Sequence, residues 1–256
     1  MKVKIKFFLM FGLFLIGMPK ADATSTSLLE EYIEGKYKLL DSNGYALPGY
    51  DLFERGIIGY LNLKESNSNL KKDLLTVIDF RTSSKNRRLW VIDLRSNKIL
   101  HHTVVAHGRN TGEEYAKSFS NTPHSNKSSV GFYITGEMYY GKHGLSLRLD
   151  GQEPGFNSNA RRRAVVMHGA NYATRDFAKT NGRLGRSFGC PAIPMKYHKE
   201  IIRLIANQST LFIYYPLKEY EASSWLNNRS KAEEYLKSNF SVERTNFSKV
   251  VSPSTY

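Results

Sequence analysis

Residues 74–106 read LLTVIDF RTSSKNR RLWVIDL RSNK ILHHTVVA: three apolar runs separated by polar links. Leu74–Phe80 and Arg88–Leu94 alternate or run apolar, and Ile99–Ala106 comes after the turn Arg95-Ser96-Asn97-Lys98. A period near two bounded by turn residues predicts strands, the last two forming a β-hairpin. Toward the C-terminus the same reading predicts strands at Val130–Thr135, Ser146–Leu149, Arg163–His168 and Leu211–Tyr215. Before the last of these, Met195–Asn207 carries Ile201, Ile202, Leu204 and Ile205 with Tyr197 behind, an amphipathic helix pattern. Toward the N-terminus, Leu28, Leu29, Tyr32 and Ile33, and then Leu52, Phe53, Ile57, Tyr60 and Leu61, recur at helical spacing. Gly44, Pro48 and Gly49 punctuate the gap, so two short helices are expected beside the strands. The expected fold is α+β and mainly β, a sandwich or barrel-like catalytic domain with an N-terminal helical extension. After Pro216 one helix is expected around Glu219–Leu236, then a Ser/Asn-rich end.

The chain has 256 residues, 41% hydrophobic and 23% charged, a globular composition. Its single cysteine, Cys190, excludes an intramolecular disulfide and any multi-cysteine metal cage. The first residues have the three parts of a secretory signal: basic Lys2, Lys4 and Lys6, apolar Phe7–Met18, and small Ala21 and Ala23. Cleavage after Ala23 removes four lysines and one aspartate and lowers the formal charge from +14 to +11. The expected organisation is a signal peptide at 1–23, a helical extension at 24–73, a catalytic domain at 74–216 and a helical or flexible tail at 217–256. A basic exported chain points to an anionic polymer such as a cell envelope, in the periplasm or cell wall, rather than to nucleic acid. No stable membrane span is expected after cleavage, and the chain is read as a monomer.

Cys190 stands in Gly185-Arg186-Ser187-Phe188-Gly189-Cys190-Pro191-Ala192-Ile193-Pro194. Gly189 permits a left-handed backbone just before the thiol, and Pro191 and Pro194 stiffen the exit from the loop. This presentation suits a nucleophile facing a cleft; the alternative is a small core residue on a shaped turn. Arg183, Arg186 and Lys196 are expected to favour the thiolate. A nucleophilic thiol needs a base within reach. Of seven histidines, His168 ends the apolar run Ala164–Met167 and precedes Gly169, which lets another segment approach closely. His107 and His143, each before a glycine, are further candidates to line the same cleft, whereas His101 and His102 read as structural. The run Arg161-Arg162-Arg163 reads as solvated surface. No histidine pair has metal-ligand spacing with carboxylates, so no metal site is expected.

His168-Gly169 followed by Ser187-Phe188-Gly189-Cys190 resembles the signature of the L,D-transpeptidases, the YkuD-like cysteine enzymes of peptidoglycan. Gly131-Phe132-Tyr133, Gly141–Leu147, Pro154-Gly155-Phe156-Asn157, Val166–Ala170 and Gly185–Pro191 look like the branch called the murein L,D-transpeptidase catalytic domain family. The resemblance runs from about Leu74 to Tyr215. It implies Cys190 as nucleophile and His168 as general base, with amides around Gly189 and Cys190 as oxyanion donors. Ser187 would orient the loop or His168. The implied reaction, which needs no cofactor, forms a Cys190 thioester on a stem tetrapeptide with loss of D-Ala, and a second stem's amine then completes a 3→3 crosslink. Water in place of that amine would make an L,D-carboxypeptidase, and loss of catalysis a wall-binding module. Two positions depart from the more familiar branch: Phe188 replaces a frequent His, and Ala192 an Arg. Both are expected in the cleft, with Arg186 or Arg183 taking over carboxylate binding.

Overall fold

The computed structural model describes residues 26–66 and 69–239. The expected signal peptide and the Ser/Asn-rich end lie outside the described residues.

Helix α1 (Leu28–Lys38) opens on a capping box: the Ser27 hydroxyl accepts the Glu30 N–H, and the Glu30 carboxylate accepts the Ser27 N–H. Helix α2 (Tyr50–Glu65) comes next. The strands are β1 (Leu74–Asp79), β2 (Leu89–Asp93), β3 (Lys98–Thr103), β4 (Gly131–Gly141), β5 (Gly144–Gly151), β6 (Val166–Ala170), β7 (Ala192–Pro194) and β8 (Thr210–Tyr214). Helix α3 (Arg175–Asn181) lies between β6 and β7, and α4 (His198–Ile205) between β7 and β8. The chain continues through α5 (Lys218–Ser223), a 3-10 turn at Trp225–Asn227 and α6 (Arg229–Ser238).

All eight strands form one mixed sheet in the order β3-β2-β1-β8-β4-β5-β6-β7. β1 pairs with β8, and β6 with β7, in parallel; the other neighbours are antiparallel. The ends of this order meet. Just past β3, the Ala106 N–H donates to the Ala192 carbonyl at 2.8 Å, and the Ala192 N–H returns to Ala106 at 3.3 Å. The sheet thus curls on itself, as the barrel-like expectation required.

Period-two alternation puts a core on each face. Leu75, Val77, Phe132, Phe212 and Tyr214 join α1, α2 and α6 in one cluster. Ile78, Tyr133, Leu147, Met167, Leu211 and Ile213 join Ile201, Ile202 and Ile205 of α4 in the other. The N-terminal helices therefore complete the core of the sheet. Within α2, Leu52, Phe53, Ile57 and Leu61 are fully buried, each contributing roughly 1.5–3 kcal/mol. Gly59 is the closest approach, where a Cβ would lie 2.0 Å from the Phe132 ring. The C-terminal helices are tied to the same layer. The Asn62 amide donates to the Leu226 and Asn228 carbonyls, and the Tyr220 hydroxyl donates to the buried Glu153 carboxylate.

Several boundaries differ from the sequence reading. The strand expected at Val130–Thr135 extends to Gly141, past a register shift between Thr135 and Met138, because β5 pairs along its polar, glycine-containing end. β7 and α3 form where the sequence carries no strand or helix expectation. The α4 helix starts at His198, not Met195, because Ile193 and Pro194 are still paired with β6. The helix expected at Glu219–Leu236 is three pieces, since Asn228 caps a new helix by accepting the Lys231 N–H.

Candidate active site

His168 is the middle residue of β6, held between β5 and β7 by the registers Ser146–His168 and His168–Ala192. Its Nδ1 lies 3.0 Å from the Gly169 carbonyl, which can only accept, so Nδ1 carries the proton and Nε2 is left as an acceptor. Burial holds its pKa below the usual histidine value. The side chain is a neutral base of fixed tautomer at neutral pH. Gly169 permits this packing: a Cβ there would lie 2.6 Å from the Met195 sulfur and 2.7 Å from the His198 ring. The expected close approach is made by the start of α4.

The parallel register of β6 and β7 sets Cys190, two residues before β7, beside Val166, two residues before His168. The Val166 N–H accordingly donates to Cys190 Sγ at 3.4 Å, and Sγ lies 3.7 Å from the Ala164 carbonyl. Ala164 adopts φ +52°, an unusual backbone for alanine costing about 1 kcal/mol, which turns the chain into β6. The Cys190 loop is pinned at every step. Ser187 receives and returns backbone bonds with His107 and Arg109. Its hydroxyl donates to the Cys190 carbonyl at 2.6 Å and accepts the Gly189 N–H at 3.0 Å. Gly189 has φ +126°, and its carbonyl accepts the Ser128 hydroxyl at 3.0 Å. Among the described residues, the Cys190 N–H has no acceptor, whereas the Gly189 N–H, expected as an oxyanion donor, is used by Ser187.

Cys190, His168 and Ser187 line one cleft of about 340 Å³. Tyr139, Lys142 and His143 from the tip of the β4–β5 hairpin form one wall, and Tyr172 and the exposed Phe188 another. The His143 ring stacks on His168 at 4.4 Å and 19° between planes. Tyr172 remains a neutral phenol, its pKa pushed up to about 12 by burial.

The charges are arranged differently from the expectation. Burial pushes the Cys190 thiol up, and Arg163 and Lys142 pull against it; the resting pair is thiol and neutral imidazole. Arg183 and Arg186 both bind the Glu113 carboxylate, at 2.9 and 2.6 Å, and Arg186 also donates to the Arg109 and Gly112 carbonyls. Arg186 lines the cleft with its charge already partnered. Arg163 is not solvated surface: it donates to the Ser120 and Lys127 carbonyls and to Ser125 and Ser129 hydroxyls beneath the Cys190 loop. Ala192 does not line the cleft. It is fully buried between His168 and Ala106, where an arginine has no room. His107 is also buried away from the cleft, accepting from Arg88 at 2.8 Å, and its pKa falls to about 4. His143 does line it. Tyr172 and Arg163 carried no local signal, because their roles depend on chain segments far away in sequence. Among the described residues, no group of three His, Cys, Asp or Glu is placed to hold a metal ion.

Residues 48–214 match a family model described as the L,D-transpeptidase catalytic domain, well over half of the chain. No curated protein matches. Similar solved structures include an L,D-transpeptidase from Mycobacterium smegmatis, at 10% identity and TM-score 0.36 over 56% of this chain and 59% of that one. L,D-transpeptidase 3 from Mycobacterium tuberculosis gives 10% identity and TM-score 0.35 over 56% and 61%. An L,D-transpeptidase from Stackebrandtia nassauensis gives 11% and 0.34 over 73% and 90%. The chain spans about three fifths of the length of the first two.

Proposed function

Because the chain belongs to the L,D-transpeptidase catalytic domain family, we propose that it is a cysteine acyltransferase that crosslinks peptidoglycan stem peptides. The observation that carries this reading is a thiol and a neutral, tautomerically fixed imidazole lining one cleft, each on rigid backbone.

Cys190 Sγ attacks the carbonyl between the L-centre and the terminal D-residue of a tetrapeptide stem, and His168 Nε2 takes the thiol proton as the C–S bond forms. The resting thiol is protonated, so this transfer accompanies attack and the base has to sit beside the sulfur. The tetrahedral oxyanion is met by the Cys190 N–H, an amide of this loop that has no internal acceptor among the described residues. Collapse breaks the C–N bond, and imidazolium returns its proton to the departing D-Ala amine. The thioester then passes to the amine of a second stem, His168 accepting the amine's proton and returning it to sulfur. Lys142 gives the cleft a positive rim for the carboxylates of the stems. The polymer substrate requires export, and the leader at residues 1–23 is the segment that would supply it.

The test incubates the mature chain with purified disaccharide-tetrapeptide and follows intact protein mass and products. A Cys190 acyl adduct and a fragment-verified 3→3 dimer are expected. Cys190→Ala should abolish both in a folded protein, and His168→Ala should slow turnover about 10²- to 10⁴-fold. Tripeptide and free D-Ala without dimer would make the enzyme an L,D-carboxypeptidase. Turnover retained by Cys190→Ala would sink the mechanism.

A further inference from the structure

A second concave surface lies along the end of β3. Two adjoining cavities of about 130 and 410 Å³ share Tyr45, Arg87, His102 and Arg175; the first reaches Tyr197 and the second Lys85. None of their lining residues lines the Cys190 cleft. Of the nearby carboxylates, Glu114 is engaged by Lys85 at 2.9 Å and Asp176 by Lys179 at 3.5 Å, while exposed Glu200 lies 3.6 Å from His101 at the edge of the first cavity. Arg87 and Arg175 are exposed and, among the described residues, make no ion pair. Two free guanidinium groups on one groove suit oxygen anions, which they bind in forked pairs.

The wall between them is aromatic and fixed. The Tyr45 ring meets His102 edge-on at 6.2 Å, and His102 stacks on Trp90 at 4.4 Å. The Trp90 indole N–H is held by the Ala46 carbonyl at 2.8 Å. Rigid rings beside unpaired cations match a ligand with flat apolar faces and acidic groups. We propose that this groove binds an acidic saccharide, the glycan strand where stems have been cut away and the lactyl carboxylates are free, while the cleft handles a stem still attached nearby; the choice of polymer rests on the crosslinking reading. The spacing agrees. Tyr172 of the cleft and Arg175 of the groove are three residues apart, so their Cα atoms lie within about 11 Å. A strand held at Arg87 and Arg175 would present a neighbouring stem to Cys190.

The experiment uses the full mature chain carrying Cys190→Ala and measures binding to glycan strands stripped of stems by an amidase, which frees their lactyl carboxylates. Binding is expected. It should weaken about tenfold or more in Arg87→Ala/Arg175→Ala, and likewise when the strand carboxylates are esterified. The charge-matched control Arg203→Ala/Lys231→Ala, both exposed and outside either site, should stay within about twofold. Equal losses in the two double variants would reduce the effect to net charge and overturn the proposal. So would unchanged binding in Arg87→Ala/Arg175→Ala, no binding to stripped strands, or preference for a phosphate-bearing glycan. Turnover of soluble disaccharide-tetrapeptide by the unmodified chain separates the two ideas: its failure removes the crosslinking reading and leaves the groove measurement standing.

Discussion

Glycine at 189 is required twice over: φ is +126°, and a Cβ would lie 2.8 Å from the Lys127 carbonyl. Gly189→Ala must therefore shift the Cys190 loop, and acylation should collapse even where a thermal melt shows a folded chain. Arg163 acts through charge. Replacing it by methionine removes the cation that opposes burial at the thiol, so the Cys190 pKa should rise further. The pH midpoint of iodoacetamide alkylation should move upward; an unchanged midpoint would remove Arg163 from the electrostatics of the site. These two residues differ in how plainly the local sequence announces them. The Gly-Cys-Pro arrangement was legible because backbone geometry is written into residue type. Arg163 was not, since its neighbours Arg161 and Arg162 face solvent while it alone turns under the loop toward Ser120 and Lys127.

At the scale of elements, the β4–β5 hairpin brings the chemistry of its tip to β6. His143 covers the His168 ring and its charge lowers the His168 pKa. His143→Ala uncovers the ring and removes that charge, and both changes raise the His168 pKa. The acidic limb of the kcat/KM profile should move upward, with an NMR titration of His168 moving in parallel. The apolar runs of β1, β2, β6 and β8 were readable because both faces are buried. The outer half of β4 was not, because Gly136 and Glu137 fall in a register shift and the residues that pair beyond it, Met138–Gly141, are exposed or half-buried, with no inward-facing apolar alternation. β7 hid between two prolines, its pairing set wholly by β6 and Ala106. The α3 helix did carry its punctuation, with Thr174 capping the Phe177 N–H and Gly182 closing it at φ +71°, but seven residues are too few for an apolar period to stand out.

For the whole molecule, the buried histidines set an acid limit. His107 has a folded pKa of about 4 against 6.5 unfolded, so between these values the unfolded chain binds a proton that the folded one refuses. Stability should be full above pH 6.5 and fall as pH drops toward 4, by up to ~3 kcal/mol from this group. The raised pKa of Glu153 acts in the opposite sense. Thermal melts across this range should show the loss, and His107→Gln, which keeps an acceptor for Arg88, should flatten it. The closure of the sheet through Ala106 and Ala192 reaches beyond the fold of one chain. With β7 paired to that segment and Lys98 of β3 bridged by Asp41, the terminal strands offer little open backbone to a second copy. If the proposed wall substrate is right, copies gathered along one polymer would have few free strand groups through which one sheet could extend into the next.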